Sequence, residues 1–175
     1  PNAGSTEQTE CAVGTFADET GLAQCKDTAP GHFVASTGAS SETPCPPSQY
    51  QPLGGQSSCL LTDPGHYTTS DGSIEQTECT WGYYQSESGT VRCLTSKPGH
   101  YVNQSGAAEQ TPCSPGSFQN QYVKRECIEA FEGYFVAEAA SPSQTRCPLG
   151  YYTDSRGSLE CNLVSPGHYT TTEGA

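Results

Sequence analysis

Positive charges are scarce in this sequence. Of its 175 residues only seven are lysine or arginine, against 19 aspartates and glutamates, so the formal net charge is -12. Binding to nucleic acid and adhesion to anionic membranes both need clustered basic side chains, so neither is expected. No apolar run approaches the ~18 residues of a membrane-spanning helix, so we expect no insertion into a membrane.

Apolar residues are also scarce. They make up only 33% of the chain, which contains 19 glycines and 13 prolines. Such a composition does not readily offset the entropy lost when the chain is ordered. Small modules with this shortage are usually cross-linked by disulfides. Methionine is absent and no signal peptide is visible, so we expect a processed product or a piece of a longer chain.

The ten cysteines recur with a period of 34 residues. Each period contains two of them, and they form two series. The first series is Cys11, Cys45, Cys79, Cys113 and Cys147, and the second is Cys25, Cys59, Cys93, Cys127 and Cys161. A fixed period of this length is typical of tandem-repeat proteins. An even number of cysteines at strict spacing indicates an oxidising compartment, so we expect a secreted or cell-surface protein.

The period divides the chain into repeats. The boundaries are 1–10 for a partial repeat, 11–44, 45–78, 79–112 and 113–146 for repeats 1 to 4, and 147–175 for a partial fifth repeat. Both ends of the sequence fall at the same phase of the repeat, and neither has a distinct capping unit. Since solenoids usually need atypical terminal repeats, we expect a segment of a longer array or a subunit whose ends meet neighbouring subunits.

Each repeat has two halves. The first half has the pattern Cys-x-x-Gly-x-aromatic, and the second has Pro-Gly-His-aromatic, as in Pro30-Gly31-His32-Phe33. No helical periodicity is visible, and short β-prone pieces are bounded by Gly, Pro, Ser and Asp, so each half is predicted to be a small two-stranded loop. Pro-Gly suits a type II turn, in which glycine takes a positive φ. The predicted fold is small, disulfide-rich and all-β, an elongated rod of 34-residue units.

Symmetry narrows the disulfide pairing. A uniform scheme joins each cysteine of the first series either to the next cysteine along the chain or to the one before it, and the latter scheme strands Cys11 and Cys161. The favoured scheme uses all ten: Cys11–Cys25, Cys45–Cys59, Cys79–Cys93, Cys113–Cys127 and Cys147–Cys161. Bridges between repeats or between chains remain alternatives. Each loop of this size would contribute roughly 3 kcal/mol of stability on the chain-entropy model.

The first half-repeat resembles the first loop of the cysteine-rich modules of tumour necrosis factor receptors. It is also similar to ephrin-receptor-like cysteine-rich repeats. The longer pattern CPPSQYQPLGGQSSCLLTDPGHY…EQTEC resembles tandem repeats of long microbial surface proteins. The receptor families carry Cys-x-x-Cys doublets, which this chain lacks. The resemblance implies an elongated, extracellular, non-catalytic protein.

No constellation typical of an enzyme stands out. Histidine recurs at one position of the repeat, as His32, His66, His100 and His168. A metal needs several ligands within ~2–2.5 Å, and side chains a whole repeat apart are too distant, so a turn with a partly exposed imidazole is the favoured interpretation. We expect no metal, no cofactor and no catalytic residue.

Two features stand out from the repeat. Asn103-Gln104-Ser105 is a glycosylation sequon, which makes Asn103 a candidate for carrying a glycan. The fourth repeat replaces three regular residues by Val123, Tyr134 and Ala140, and it gains Lys124 and Arg125. It also has a set of apolar residues: Ile128, Phe131, Tyr134, Phe135 and Val136. A contact surface built on Lys124, Arg125, Phe131, Tyr134 and Phe135 is one interpretation, and sequence drift is the other.

The leading hypothesis is a structural role. Repeats that contact mainly their neighbours set length by their number, so we predict a subunit or segment of an extracellular filament, fibre or stalk. Its partners would be copies of itself and possible glycans, because open, heterologous contacts generate fibres. The alternative is a receptor-like or adhesin ectodomain that recognises a protein or a glycan.

Overall fold

Two-residue strands joined in antiparallel pairs make up residues 7–174, the part of the chain that the computed structural model describes. These residues contain no helix, and the small, disulfide-rich, all-β fold predicted from the repeats is confirmed. Most of the partial repeat predicted for residues 1–10, together with Ala175, lies outside the described residues.

Eighteen strands are present in the described residues, and each odd-numbered strand pairs with the strand that follows it. In chain order from β1 to β18 they are Thr15–Phe16, Lys26–Asp27, His32–Phe33, Thr43–Pro44, Gln49–Tyr50, Leu60–Leu61, His66–Tyr67, Thr77–Glu78, Tyr83–Tyr84, Leu94–Thr95, His100–Tyr101, Thr111–Pro112, Ser117–Phe118, Ile128–Glu129, Tyr134–Phe135, Thr145–Arg146, Tyr151–Tyr152 and Asn162–Leu163.

Successive hairpins recur at half the period of the sequence, a spacing that we call the half-period. Thr15, His32 and Gln49 open the first three hairpins. Each half-repeat between residues 11 and 163 therefore forms one hairpin, as predicted. Hairpins with two cysteines alternate with hairpins that begin at Pro-Gly, or at Glu132-Gly133 in the fourth repeat, and we call this second kind the Pro-Gly hairpins. The register is the same in both kinds, because Phe16 pairs with Lys26 and Phe33 pairs with Thr43.

The chain divides into two compact units. Unit 1 comprises Pro1–Glu78 and Glu87–Cys93, and unit 2 comprises Cys79–Ser86 and Leu94–Ala175. Strands β1 to β8 lie in unit 1, and β9 to β18 lie in unit 2.

Within each unit, three backbone hydrogen bonds recur where one hairpin meets the next. The first two hairpins of unit 1 are joined by Gly14 N–H to Val34 O (2.8 Å), Ala17 N–H to Ala39 O (3.0 Å) and Gly38 N–H to Cys11 O (2.8 Å). In unit 2 the same set appears as Gly116 N–H to Val136 O (2.8 Å), Gln119 N–H to Ser141 O (3.2 Å) and Ala140 N–H to Cys113 O (2.8 Å). These bonds satisfy backbone groups that two-residue strands leave unpaired.

Two buried positions that recur once in every half-period provide the core. The first precedes a hairpin and holds Cys11, Thr28, Cys45, Thr62, Cys79, Ser96, Cys113, Ala130 and Cys147. The second follows a hairpin's first strand and holds Val34, Gln51, Thr68, Gln85, Val102, Gln119, Val136 and Thr153. Most of these side chains are small or polar. No buried side-chain nitrogen or oxygen of the described residues lacks a hydrogen-bond partner, so the core is stabilised by polar contacts as well as by apolar burial.

Disulfides close every second hairpin. Four bridges, Cys11–Cys25, Cys45–Cys59, Cys113–Cys127 and Cys147–Cys161, span 14 residues each, with Cα–Cα distances of 5.7–5.8 Å. The remaining two cysteines, Cys79 and Cys93, are also disulfide-bonded. The four pairs are those of the favoured scheme.

The Pro-Gly hairpins are closed by a side-chain carboxamide or carboxylate. One half-period after Cys45 and Cys59 stand Thr62 and Gln76. Gln76 Oε1 accepts a hydrogen bond from Asp63 N–H at 2.7 Å, and Glu42, Gln110 and Gln144 accept equivalent bonds at 2.7–2.9 Å. The Thr62 hydroxyl accepts a bond from the backbone N–H of Thr90 at 3.0 Å. In alternate hairpins, a hydrogen bond from a backbone N–H to a side-chain oxygen thus stands where the other hairpins have a cystine.

A glycine at the start of every described hairpin except β5–β6, which has Ser48, allows close packing of the backbone. Gly116 has a φ of 85°, and a Cβ added there would lie 2.3 Å from the carbonyl oxygen of Gly157. Gly31 in a Pro-Gly turn has a φ of 82°, which confirms the positive φ predicted for this turn. Such positions favour glycine both for its backbone freedom and for its lack of a side chain.

Three non-glycine residues take the left-handed conformation where other repeats have glycine. They are Ser48 (φ 76°), Val123 (φ 55°) and Ala140 (φ 57°). A β-branched residue such as Val123 is especially disfavoured there. The surrounding hydrogen bonds impose this backbone geometry on whatever residue the sequence provides.

A disulfide can be introduced into a Pro-Gly hairpin at the two positions that hold cysteines in the other hairpins. Ala130 and Gln144 stand one half-period after Cys113 and Cys127. In the double variant Ala130→Cys/Gln144→Cys, we expect a disulfide to form under oxidising conditions. It should add roughly 3 kcal/mol of stability, measured as the difference in urea unfolding between the oxidised double variant and the oxidised unaltered protein.

The matched control is Thr62→Cys/Gln76→Cys. That variant should also form a bridge, but its gain should be smaller because the Thr62 hydroxyl bond to Thr90 is lost. Two free thiols in oxidised Ala130→Cys/Gln144→Cys would contradict the equivalence of the two kinds of hairpin.

The close approach at Gly116 gives a second prediction. Gly150 occupies the same repeat position with a φ of 84°, but no atom of the described residues lies within 4 Å of an added Cβ there. Gly150→Ala should cost only the left-handed strain, about 1–2 kcal/mol. Gly116→Ala should cost about 1–3 kcal/mol more because the backbone must shift. Equal losses in urea unfolding of the oxidised proteins would contradict the close packing.

Candidate functional site

An arginine stacked on the chain's sole tryptophan marks the fourth repeat. The Arg125 guanidinium carbon lies 5.1 Å from the centroid of the Trp81 ring, within the range of a cation–π interaction. The Trp81 side chain remains 46% exposed. Arg125 was predicted as a contact residue, whereas Trp81, which belongs to the preceding repeat, was missed. Its being the only tryptophan was the one available signal.

Backbone hydrogen bonds hold the segment that carries Arg125. Lys124 N–H donates to the Ser96 hydroxyl at 3.1 Å, and Lys124 O accepts from Val102 N–H at 2.8 Å. The preceding residue, Val123, has the left-handed φ described above. The position of Arg125 is therefore set by the hairpin junction and by its contact with Trp81.

Trp81 and Arg125 line a cleft of about 530 Å³, which we call the tryptophan cleft. Lys124 and Ile128 are among its other lining residues, and Ile128 is 37% exposed. One wall is held internally, because the buried Gln119 donates from Nε2 to the Glu126 carbonyl at 2.9 Å. The cleft thus combines exposed apolar surface with two cationic residues and one acidic residue, Glu126, on a fixed backbone.

The other predicted contact residues pair with different arginines. The guanidinium of Arg156 lies 5.3 Å from the Phe131 ring centroid. Arg146 lies 5.8 Å from the Tyr134 ring centroid, and its Nε donates to the Tyr134 hydroxyl at 3.0 Å. Phe135 is half-buried in β15. The predicted contact residues are therefore distributed among several local interactions.

Part of the apolar set of the fourth repeat belongs to the core. Val136 is only 3% exposed and clusters with Phe118 and Ala130. Phe118 also packs edge-to-face against Phe131, with ring centroids 6.2 Å apart. Val136, one of the apolar residues of the fourth repeat, therefore belongs to the core, because it occupies the buried position that follows a hairpin's first strand.

Asn103 is exposed in the segment after β11. It lines a second cleft of about 370 Å³, together with Tyr101 and Arg125. Its exposure suits an attached glycan. Glycosylation itself stays a prediction, which the mass of the peptide containing Asn103 would test.

The histidines are anchored locally. In all four Pro-Gly-His turns, the histidine Nδ1 lies 3.1–3.4 Å from the carbonyl oxygen of the proline two residues earlier. Nδ1 must carry the proton to donate to a carbonyl. Within residues 7–174, no group of three His, Cys, Asp or Glu side chains is placed to hold a metal ion.

The two units differ in charge. Unit 1 has eleven carboxylates and two cations, a formal charge of -9, whereas unit 2 has eight carboxylates and five cations, a charge of -3. In unit 1 the Lys26 ammonium lies 2.7 Å from an Asp18 carboxylate oxygen. The hydrogen bond from Lys26 lowers the pKa of Asp18. This cation is therefore already paired with a carboxylate of its own unit.

One period of the chain matches a known family model. Residues 43–79 match the family described as tyrosine-protein kinase ephrin type A/B receptor-like. The match includes Cys45 and Cys59 and the Pro-Gly hairpin that follows them, so the resemblance to cysteine-rich repeats is confirmed. No curated protein matches the chain.

The match and the disulfides indicate an extracellular cysteine-rich module. The matched family is receptor-like and is not an enzyme family. Among the described residues there is no helix with the length and apolar character needed to span a membrane.

The contact between Arg125 and Trp81 can be tested by fluorescence. In Arg125→Ala, the ring should become more accessible, and its fluorescence should be quenched more strongly by acrylamide. The matched control is Arg146→Ala, which removes a guanidinium from Tyr134 and should leave tryptophan quenching unchanged. Identical quenching in Arg125→Ala and the unaltered protein would contradict the stacked arrangement.

Proposed function

We propose that the chain is a non-enzymatic structural protein, a subunit or segment of an extracellular filament, fibre or stalk. In this role it would associate with copies of itself. The disulfides would keep alternate hairpins closed outside the cell, where reductants are scarce.

The observation that supports this proposal most strongly is the uniformity of the junctions between hairpins. The same three backbone hydrogen bonds recur in both units, and they depend on glycine geometry and on two small buried positions. Such a module can be repeated without a new core for each addition, so length follows the number of repeats. An enzyme, by contrast, needs one specialised site.

A second candidate function is a receptor-like or adhesin ectodomain. The tryptophan cleft favours it, because Trp81 and Arg125 are of the residue types that dominate binding interfaces. A protein or a glycan would bind there. This role predicts that capture of the ligand depends on the cleft.

The first experiment is electron microscopy of the unreduced protein, with light scattering on the same sample across a range of concentrations. We expect uniform fibres and a mass many times that of the 18.5 kDa chain. Monodisperse monomers at high concentration would count against the structural role and would turn attention to the ectodomain. Monomeric lysozyme at the same concentrations is the control for scattering that does not come from assembly.

A further inference from the structure

The tryptophan cleft is an exception within the repeat. At the positions of Lys124 and Arg125 the other repeats have Leu22-Ala23, Gln56-Ser57, Thr90-Val91 and Ser158-Leu159, none of them cationic. At the position of Trp81 they have Val13, Pro47, Pro115 and Leu149. Among the residues that the structure describes, this cleft alone therefore combines an exposed indole ring with two cations, and its lining residues belong to unit 2.

A second exception lies in unit 1. The segment 71–78, between the strands of the β7–β8 hairpin and into β8, carries the exposed Ile74 together with Asp71, Glu75 and Glu78. We call it the acidic loop. Ile74 is 54% exposed, and the other repeats have Ser40, Ala108 and Pro142 at its position. Only the second repeat has both a large apolar side chain and three carboxylates in this segment.

The acidic loop is fixed before any partner binds. Gly72 N–H donates to Cys45 O at 2.8 Å, and the Ser73 hydroxyl donates to Ser70 O at 2.8 Å. Gln76 Nε2 donates to an Asp63 carboxylate oxygen at 2.7 Å. A pre-ordered loop loses little entropy on binding.

We propose that the tryptophan cleft of one copy binds the acidic loop of a second copy. Ile74 packs against Trp81 and Ile128, and the carboxylates of Glu75 and Glu78 face Lys124 and Arg125. The opposite signs of the loop carboxylates and the two cleft cations favour this pairing locally, against a net negative charge on both units, -9 on unit 1 and -3 on unit 2. This inference rests on the proposed assembly of copies and names its contact.

The contact joins two different surfaces, so it is heterologous. Each copy keeps one cleft and one loop available for further copies, and a contact of this kind extends into a fibre unless its geometry closes a ring. The loop carboxylates and the cleft cations lie at the surface, where salt screens their attraction. Assembly should therefore weaken when the salt concentration is raised and the screening length falls below about 8 Å.

Two double variants separate the surfaces. Lys124→Glu/Arg125→Glu removes the cleft but keeps the loop, and Glu75→Gln/Glu78→Gln removes two charges of the loop but keeps the cleft. Each variant alone should lose assembly and sediment as a monomer. Mixed in equal amounts, they should form dimers and nothing larger, because only one cleft and one loop in each pair remain functional.

The controls match the charge changes elsewhere. Lys97→Glu/Arg156→Glu changes the net charge as the cleft variant does, and Glu7→Gln/Glu19→Gln changes it as the loop variant does. Both should assemble like the unaltered protein. Ile74→Ser, which changes no charge, should weaken assembly at least tenfold through the loss of its apolar contact.

The outcomes distinguish this inference from the proposed function. If the unaltered protein forms fibres and both double variants do so equally well, the contact is wrong and the structural role stands. If the unaltered protein is monomeric at all concentrations, both fail. If the double variants are monomeric but their mixture yields no dimer, the cleft has a different occupant and the inference is overturned.

Discussion

The backbone hydrogen bonds between successive hairpins are the interaction on which the structure of each unit depends. Strands of two residues pair too few groups to be stable alone, and the buried positions hold mostly cysteine, threonine, serine and glutamine. The three backbone bonds that recur at junctions within each unit, each with a net contribution of about 0.5–1.5 kcal/mol, compensate for the small apolar core. The glycines permit this arrangement because their backbones can approach a carbonyl that any Cβ would displace, as at Gly116.

Much of this fold could be predicted because the cysteines recur at the period of the repeat. The spacing from Cys11 to Cys25 and to Cys45 predicted the repeats and the two-stranded halves, and the Pro-Gly turns predicted positive φ at Gly31. The structural period, which is half as long as the sequence period, was harder to see. The cystine Cys45–Cys59 and the residues one half-period later, Thr62 and Gln76, share no residue type, so the equivalence of their positions is visible only in the structure.

The candidate site could be predicted only in part. Lys124 and Arg125 stood out against the repeat, but the contact between Arg125 and Trp81 joins residues far apart in sequence, which no local pattern reports. The fourth repeat also shows why irregular residues need not mark a surface. Val123 and Ala140 keep the left-handed backbone that glycine has in other copies, and Val136 fills a regular buried position. The scaffold tolerates these replacements, so irregularity alone does not identify a binding surface.

Alternating covalent and hydrogen-bonded closure affects how far the chain extends under mechanical tension. In Cys45–Cys59 the Cα atoms are 5.8 Å apart although 14 residues separate them along the chain. A fully stretched segment of 14 residues would span roughly 46–50 Å at about 3.3–3.6 Å per residue. Each bridge therefore withholds most of that length from a pulling force, while a Pro-Gly hairpin, closed by Gln76 and its equivalents, can unravel fully. Tension would be relieved in the alternate hairpins first, and the cystine loops would set the limit of extension.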